Sequence, residues 1–365
     1  MKNYLEFERD IKDLEEELEK LKDPYNKEGL SEVNTNKISE MQAQIDEKLK
    51  DSWANLNEWQ VTQVARHEER PKAKFFIDNL FTNFINLSGD RNFADDKALI
   101  SGFAKFEGKS VLVLGQEKGE DLDSRLKRNF GMLRPSGYRK AQRLMLLANK
   151  FNIPIISFID TPGAYPSVGS ETRGIAEAIS SSIECCMSLK VPFISIIIGE
   201  GGSGGAIALA SANKVLMMEH AIYSVISPEG CASILWRDQS KSLEAAKAMK
   251  LTAKELFKMQ IIDEIIKEPV GGAHRHKEEV LLSTKESLVK HLEEFKKYTG
   301  DEIYEQRKQK FLNIGKQKTL RVFSDEISWI KKDNFFSNIK DILFKFKKEL
   351  AIIIILIFGL LFYLL

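Results

Sequence analysis

Residues 193–206 read Phe193-Ile194-Ser195-Ile196-Ile197-Ile198-Gly199-Glu200-Gly201-Gly202-Ser203-Gly204-Gly205-Ala206. The first half is an almost unbroken apolar run rich in isoleucine, the pattern of a strand covered on both faces. In the second half, five of the seven residues 199–205 are glycine. A tight turn needs far fewer. Glycines at a strand-to-helix junction expose bare backbone N–H groups, and the helix dipole there favours negative charge. The stretch therefore predicts a buried strand, a ligand-facing loop and a helix start.

A second unit of this kind lies upstream, Phe158-Ile159-Asp160-Thr161-Pro162-Gly163-Ala164-Tyr165-Pro166. Further short apolar runs at 98–106, 110–115, 153–160, 191–199, 214–218 and 222–225 read as strands. The intervening residues 138–151, 172–189, 204–212 and 240–249 read as helices, and 277–298 as a charged helix. The result is an α/β domain placed at 61–300. Ahead of it, Ile11, Leu14, Leu18 and Leu21, then Ile38, Met41, Ile45 and Leu49, each line one face of a helix. Residues 1–60 are accordingly expected to form an amphipathic helical arm. Residues 301–349 read as a polar and basic connection, and 350–365 as a separate hydrophobic segment.

The chain has 365 residues with a formal net charge of +1, so no global field points to nucleic acid. The cysteines Cys185, Cys186 and Cys231 lack metal-knuckle spacing, and the histidines lack the H-E-x-x-H pattern. No metal site is expected. Cys231 reads as a buried structural thiol, and His274 and His276 as loop residues. Charge interrupts the N-terminus too often for a signal peptide, which places the chain in the cytoplasm.

The glycine loop also fits another chemistry. Gly199, Gly201 and Gly204 form G-x-G-x-x-G, and Glu219 follows at the spacing of a ribose-binding acid. An NAD-dependent oxidoreductase is thus the alternative. A basic stretch, Arg125-Leu126-Lys127-Arg128-Asn129-Phe130-Gly131-Met132 and Gly137-Tyr138-Arg139-Lys140, offers Arg128, Tyr138, Arg139 and Lys140 as a CoA-phosphate surface; the competing explanation is a solvated helix start.

These blocks together resemble the carboxyltransferase alpha-subunit family of bacterial multi-subunit acetyl-CoA carboxylases. Further matching blocks are Gly89-Asp90-Arg91, Ala94-Asp95-Asp96-Lys97-Ala98, Ser227-Pro228-Glu229-Gly230-Cys231-Ala232-Ser233 and Glu268-Pro269-Val270-Gly271-Gly272-Ala273-His274-Arg275. The resemblance runs from residue 1 to about 317, with Leu133, Ser136 and Ser167 as departures. It implies a crotonase-like ββα superhelix and carboxyl transfer from carboxybiotin to acetyl-CoA, giving malonyl-CoA for fatty acid biosynthesis. It implies an α2β2 assembly with a zinc-bearing beta subunit, together with a biotin carboxyl carrier protein and biotin carboxylase. It assigns the amides of Gly204 and Gly205 to an oxyanion hole, with Gly163, Ala164, Gly201 and Gly202 lining the substrate cleft.

The tail stands apart from this resemblance. Leu350 to Leu365 carries no charge, and residues 331–349 hold six lysines against three acids among interleaved phenylalanines. A basic amphipathic approach followed by an apolar helix is expected to tether the chain to the cytoplasmic face of the inner membrane. A buried C-terminal helix is the alternative.

Overall fold

The structure is a computed structural model and describes residues 3–22 and 35–315. The hydrophobic segment 350–365, expected as a C-terminal helix and membrane anchor, lies outside the described residues. Among those described, no helix is long and apolar enough to cross a membrane.

The sheet contains β1 (Thr82–Asn86), β2 (Leu99–Phe106), β3 (Lys109–Gln116), β4 (Ile155–Thr161), β5 (Phe193–Gly202), β6 (Lys214–Met218), β7 (Ile222–Ser224) and β8 (Glu264–Ile266). Its order is β1-β2-β3-β4-β5-β6-β8, with β7 joined to the far end of β5. The first two pairings are antiparallel, and those from β3 onward are parallel. The parallel strands succeed one another in a single direction, each return being made through helix. Ile155, Ile156, Phe158, Ile194, Ile196 and Ile197 are wholly buried, because helices cover the sheet. The helices Pro135–Lys150 and Ile175–Ser188 pack on each other, and the latter on Ser203–Ala210.

The long β5 does two jobs. Ile194–Ile197 pair with β6, whereas Glu200, Gly201 and Gly202 pair with β7. Between these stretches, the step from Ile159 to Thr161 on β4 faces the step from Ile197 to Gly201 on β5. That bulge bends β5 out of its first ladder at the strand end that carries the glycine loop.

The helices Arg9–Lys22 and Thr35–Ala54 pack together through Ile11, Leu18, Met41, Ile45, Leu49 and Trp53. Arg275 ties the arm to the domain, meeting Glu15 at 2.6 Å and Glu8 at 3.1 Å. His67 contacts the carbonyl of Asn3 at 2.9 Å and stacks on His274 with centroids 3.9 Å apart.

Two sequence expectations need correction. Cys231 is only half-buried, since it sits near the N-terminus of the Pro228–Trp236 helix, most of whose length is partly exposed. The start of the expected polar connection is a helix, Gly300–Asn313, carrying a wholly buried arginine. Arg307 donates to the carbonyls of Cys186 (2.9 Å), Leu189 (2.6 Å) and Val191 (2.8 Å), and to Asn213 Oδ1. It satisfies the orphan carbonyls where the Ile175–Ser188 helix ends and the chain enters β5. Replacing Arg307 with Met should lower unfolding stability by about 3 kcal/mol, because several buried acceptors lose their donor. Denaturant unfolding of both proteins measures the difference.

Candidate active site

The loops at the ends of β4 and β5 cross with backbone against backbone. A Cβ built on Gly202 would lie 2.2 Å from the Pro162 carbonyl oxygen, and one on Gly205 would lie 2.5 Å from the Gly163 carbonyl carbon. Neither position can carry a side chain while the loops stay together. Gly204 differs: its nearest obstacle is Ile179 Cγ2, at 3.4 Å. Ser203 sits at φ +54°, an uncommon left-handed conformation that turns the chain sharply from strand into helix.

The Ser203–Ala210 helix has Gly202 as its N-cap and no side-chain cap. Its first-turn amides at Ser203, Gly204 and Gly205 therefore lack a capping side chain. Ser203 and Gly204 are half-buried, and Gly205 is buried beneath the crossing loop. From below, Gln116 Nε2 donates to the Gly205 carbonyl at 2.7 Å, and Ser157 Oγ to that of Leu209 at 2.8 Å. Thr161 Oγ1 closes the other loop by donating to the Gly163 carbonyl at 2.7 Å. Ala164 bridges to Leu133. Gly163, Ala164, Gly201, Gly202, Gly204 and Gly205 are thus gathered in one place.

Beside the crossing lies a chain of charges. Lys118 Nζ is 2.8 Å from Asp160 Oδ1 and 2.6 Å from Glu200 Oε2. Glu200 Oε1 meets Arg66 Nε at 2.6 Å, and Arg66 Nη1 meets Glu229 at 2.6 Å. Burial alone would favour a neutral Glu200, but the charges of Lys118 and Arg66 outweigh it and hold the carboxyl at about 2. Burial opposes the charge on Lys118 as well, and Asp160 and Glu200 overcome it, raising its pKa. A cavity of about 270 Å³ opens against this chain, between Arg66, Lys72, Lys118 and Phe130. Arg66, Asp160, Glu200 and Gln116 were not singled out from the sequence as site residues. The available signal was an acid at the end of each apolar strand, because a buried carboxylate requires a cation.

The basic stretch divides. Arg128 and Arg139 are on the surface side, bonded to the Lys97 carbonyl at 2.8 Å and to Glu177 at 2.8 Å. Tyr138 and Lys140 turn inward, so their expected contact with CoA is corrected. Tyr138 is wholly buried, and burial raises its hydroxyl pKa far above the usual value. The Lys140 ammonium is consumed by Asp95 and by the carbonyls of Asp96 and Leu99, each at 2.8 Å. The covered arc of this helix is wide, centred on Ala141, Leu144 and Ala148, so Tyr138 and Lys140 fall at its two edges and Arg139 between them faces outward.

The dinucleotide alternative fails here. The parallel strands advance one way and provide no switch point between outward-running halves. Glu219, the presumed ribose acid, is occupied by Lys267 at 2.7 Å and by the Glu268 amide at 3.1 Å. Among the described residues, no cluster of three or more His, Cys, Asp or Glu is arranged to hold a metal.

The model of the acetyl co-enzyme A carboxylase carboxyltransferase-like family matches residues 4–315. The chain belongs to that family. A relative from Pelagibacter ubique (strain HTCC1062), named acetyl-coenzyme A carboxylase carboxyl transferase subunit alpha, is 63% identical over 357 residues, or 97% of this chain and 96% of its own. A relative of the same name from Brucella ovis is 51% identical over 316 residues, 87% of this chain and 99% of its own. An alignment of 357 residues must run well past residue 318. The family model itself ends at residue 315, so the tail lies outside the family pattern as expected, although this relative aligns beyond it.

Solved structures share the fold at low identity. Transcarboxylase 12S, with methylmalonyl-coenzyme A bound, superposes with a TM-score of 0.51 at 18% identity, covering 63% of this chain and 42% of that one. A Pseudomonas malonate decarboxylase hetero-tetramer in complex with coenzyme A gives 0.51 at 13% identity, covering 63% and 90%.

The crossing distances separate two neighbouring substitutions. Gly205→Ala should cost about 2 kcal/mol, the scale of overpacking against a backbone that cannot yield. Gly204→Ala should be neutral, or stabilising by up to about 1 kcal/mol through helix propensity. Thermal unfolding of the pair reads the contrast.

Proposed function

We propose that this chain is the alpha subunit of an acetyl-CoA carboxyltransferase, moving the carboxyl group of carboxybiotin to acetyl-CoA to form malonyl-CoA. The observation that carries the reading is the uncapped helix start at the loop crossing, in a chain matched by this family along residues 4–315. Carboxybiotin releases CO2, the freed ureido nitrogen takes a proton from the acetyl methyl group, and the resulting enolate attacks CO2. Negative charge develops on the ureido and thioester oxygens. The amides of Gly204 and Gly205 serve the ureido oxygen, and Gly163, Ala164, Gly201 and Gly202 line the cleft around it. A site built from backbone donors needs no acid–base dyad, and losing one such donor costs about 10²–10³ in rate.

The thioester side falls to the beta subunit in an α2β2 assembly, with zinc in that subunit alone. Biotin arrives on a carrier protein charged by a biotin carboxylase. Arg128 and Arg139 remain the candidates for CoA phosphates, and the lysine-rich approach to 350–365 remains the candidate membrane contact.

Two measurements test this. The isolated chain should be inactive, and malonyl-CoA formation should appear on adding the beta subunit and carboxybiotin. Robust turnover by the chain alone would refute the assignment. Separately, Arg139→Ala in the complex should raise KM for acetyl-CoA about tenfold with kcat little changed. An unaltered KM would remove Arg139 from the substrate.

A further inference from the structure

Side chains from three other parts of the chain hold the bulge in β5. Arg70 Nε donates to the Ile198 carbonyl at 2.7 Å, and the Glu200 amide donates to Asp160 Oδ1 at 2.9 Å. The Glu200 carboxylate is divided between Arg66 and Lys118. Lys118 bridges the two strand ends through side chains, because it also pairs with Asp160 at the end of β4, and so reinforces the direct bond from the Glu200 amide to Asp160. Its place is set in advance. Gly119 follows it at φ +88° with its amide on Glu117 Oε1 at 2.8 Å, and a Cβ on Gly131 would already touch Lys118 Cγ at 3.0 Å. Burying such a chain of charges is a poor route to stability, since well-packed apolar residues do as well or better. What the arrangement provides is direction: four residues beyond Glu200 the chain reaches Gly204, across a left-handed Ser203 with no side-chain cap to re-aim it.

We propose that Lys118 is a positioning residue: by bridging Asp160 and Glu200 it locks the β5 bulge and so aims the first-turn amides at Gly204 and Gly205. This rests on the reading of those amides as oxyanion donors. Lys118 itself makes no contact with the reacting atoms. It acts through Glu200, whose pairing with β7 continues through Gly201 and Gly202 to the helix start.

The experiment uses the chain assembled with its beta subunit and follows carboxyl transfer in reverse, from malonyl-CoA to free biotin. Lys118→Met should lower kcat about a hundredfold, the loss expected when an oxyanion donor is misplaced. KM for malonyl-CoA should stay within about twofold, because substrate binding is not touched. Hydrogen exchange in residues 199–206 should accelerate about tenfold while the rest of the sheet keeps its protection. Lys118→Arg, which keeps the charge, should recover most of both signals. If the Met variant does not assemble, Lys118→Met combined with Asp160→Asn and Glu200→Gln removes both carboxylates that Lys118 neutralises and should show the same kcat loss. Wild-type kcat and exchange in these variants would overturn the proposal. So would an equal loss in Lys118→Arg with protection lost across the whole sheet, the mark of a general structural role. An inactive wild-type complex would count against the functional assignment alone, and exchange at 199–206 would still decide whether Lys118 locks the bulge.

Discussion

The structure depends on one steric condition, that two strand ends pass within backbone contact of each other. Gly202 lies against Pro162 and Gly205 against Gly163, with no space for a side chain at either approach. The condition explains the glycine content of 199–205 better than ligand access does alone. Side chains elsewhere are then recruited to keep the crossing closed. Gln116 and Ser157 reach up from β3 and β4 to carbonyls of the Ser203–Ala210 helix, and Thr161 folds its own loop over Gly163. The open first-turn amides are a by-product of that geometry. A helix that begins in glycine against another backbone has no side chain available to cap it.

The charged chain beside the crossing follows from where the strands end. Asp160 and Glu200 are buried near the ends of apolar strands, and each would be costly if left unpaired. Lys118 and Arg66 come from two other segments, so the neutralisation also draws distant parts of the chain together. Electrostatics here acts as a fastener, and its effect is to make local geometry intolerant of slack.

Much of this could be read from residues in order. The runs at 153–160 and 191–199 became β4 and β5 within a few residues, because continuous isoleucine admits little but a covered strand. The seams of the N-terminal helices were visible in the spacing of Ile11, Leu18, Met41 and Ile45. β1, with both faces largely exposed, offered only the adjacent pair Phe84-Ile85 between asparagines, neither an alternation nor a run, and was missed. The Gly300–Asn313 helix was missed for the opposite reason. Its composition is mostly polar, Ile303 is its one buried apolar residue, and the other anchor is an arginine whose carbonyl partners are about 120 residues away in sequence. In the basic stretch, composition suggested one cationic surface, while helical phase assigned alternate residues to solvent and to core. Close approach, phase and distant partners are three-dimensional facts that a one-dimensional reading meets only indirectly.

The clasp on the N-terminal arm has a consequence for synthesis. Glu8 and Glu15 leave the ribosome early, but their partner Arg275 follows 260 or more residues later. At about 5–20 residues per second, that is a wait of about 13–50 s. Throughout it, the arm's two helices have each other but not the surface that clamps them, and Trp53 lacks His220 and His274 as neighbours. Docking the arm is therefore a late event in the life of the nascent chain, although the arm is made first. For that interval the docking end of the arm around Trp53 is available to whatever binds exposed aromatic surface near the tunnel exit.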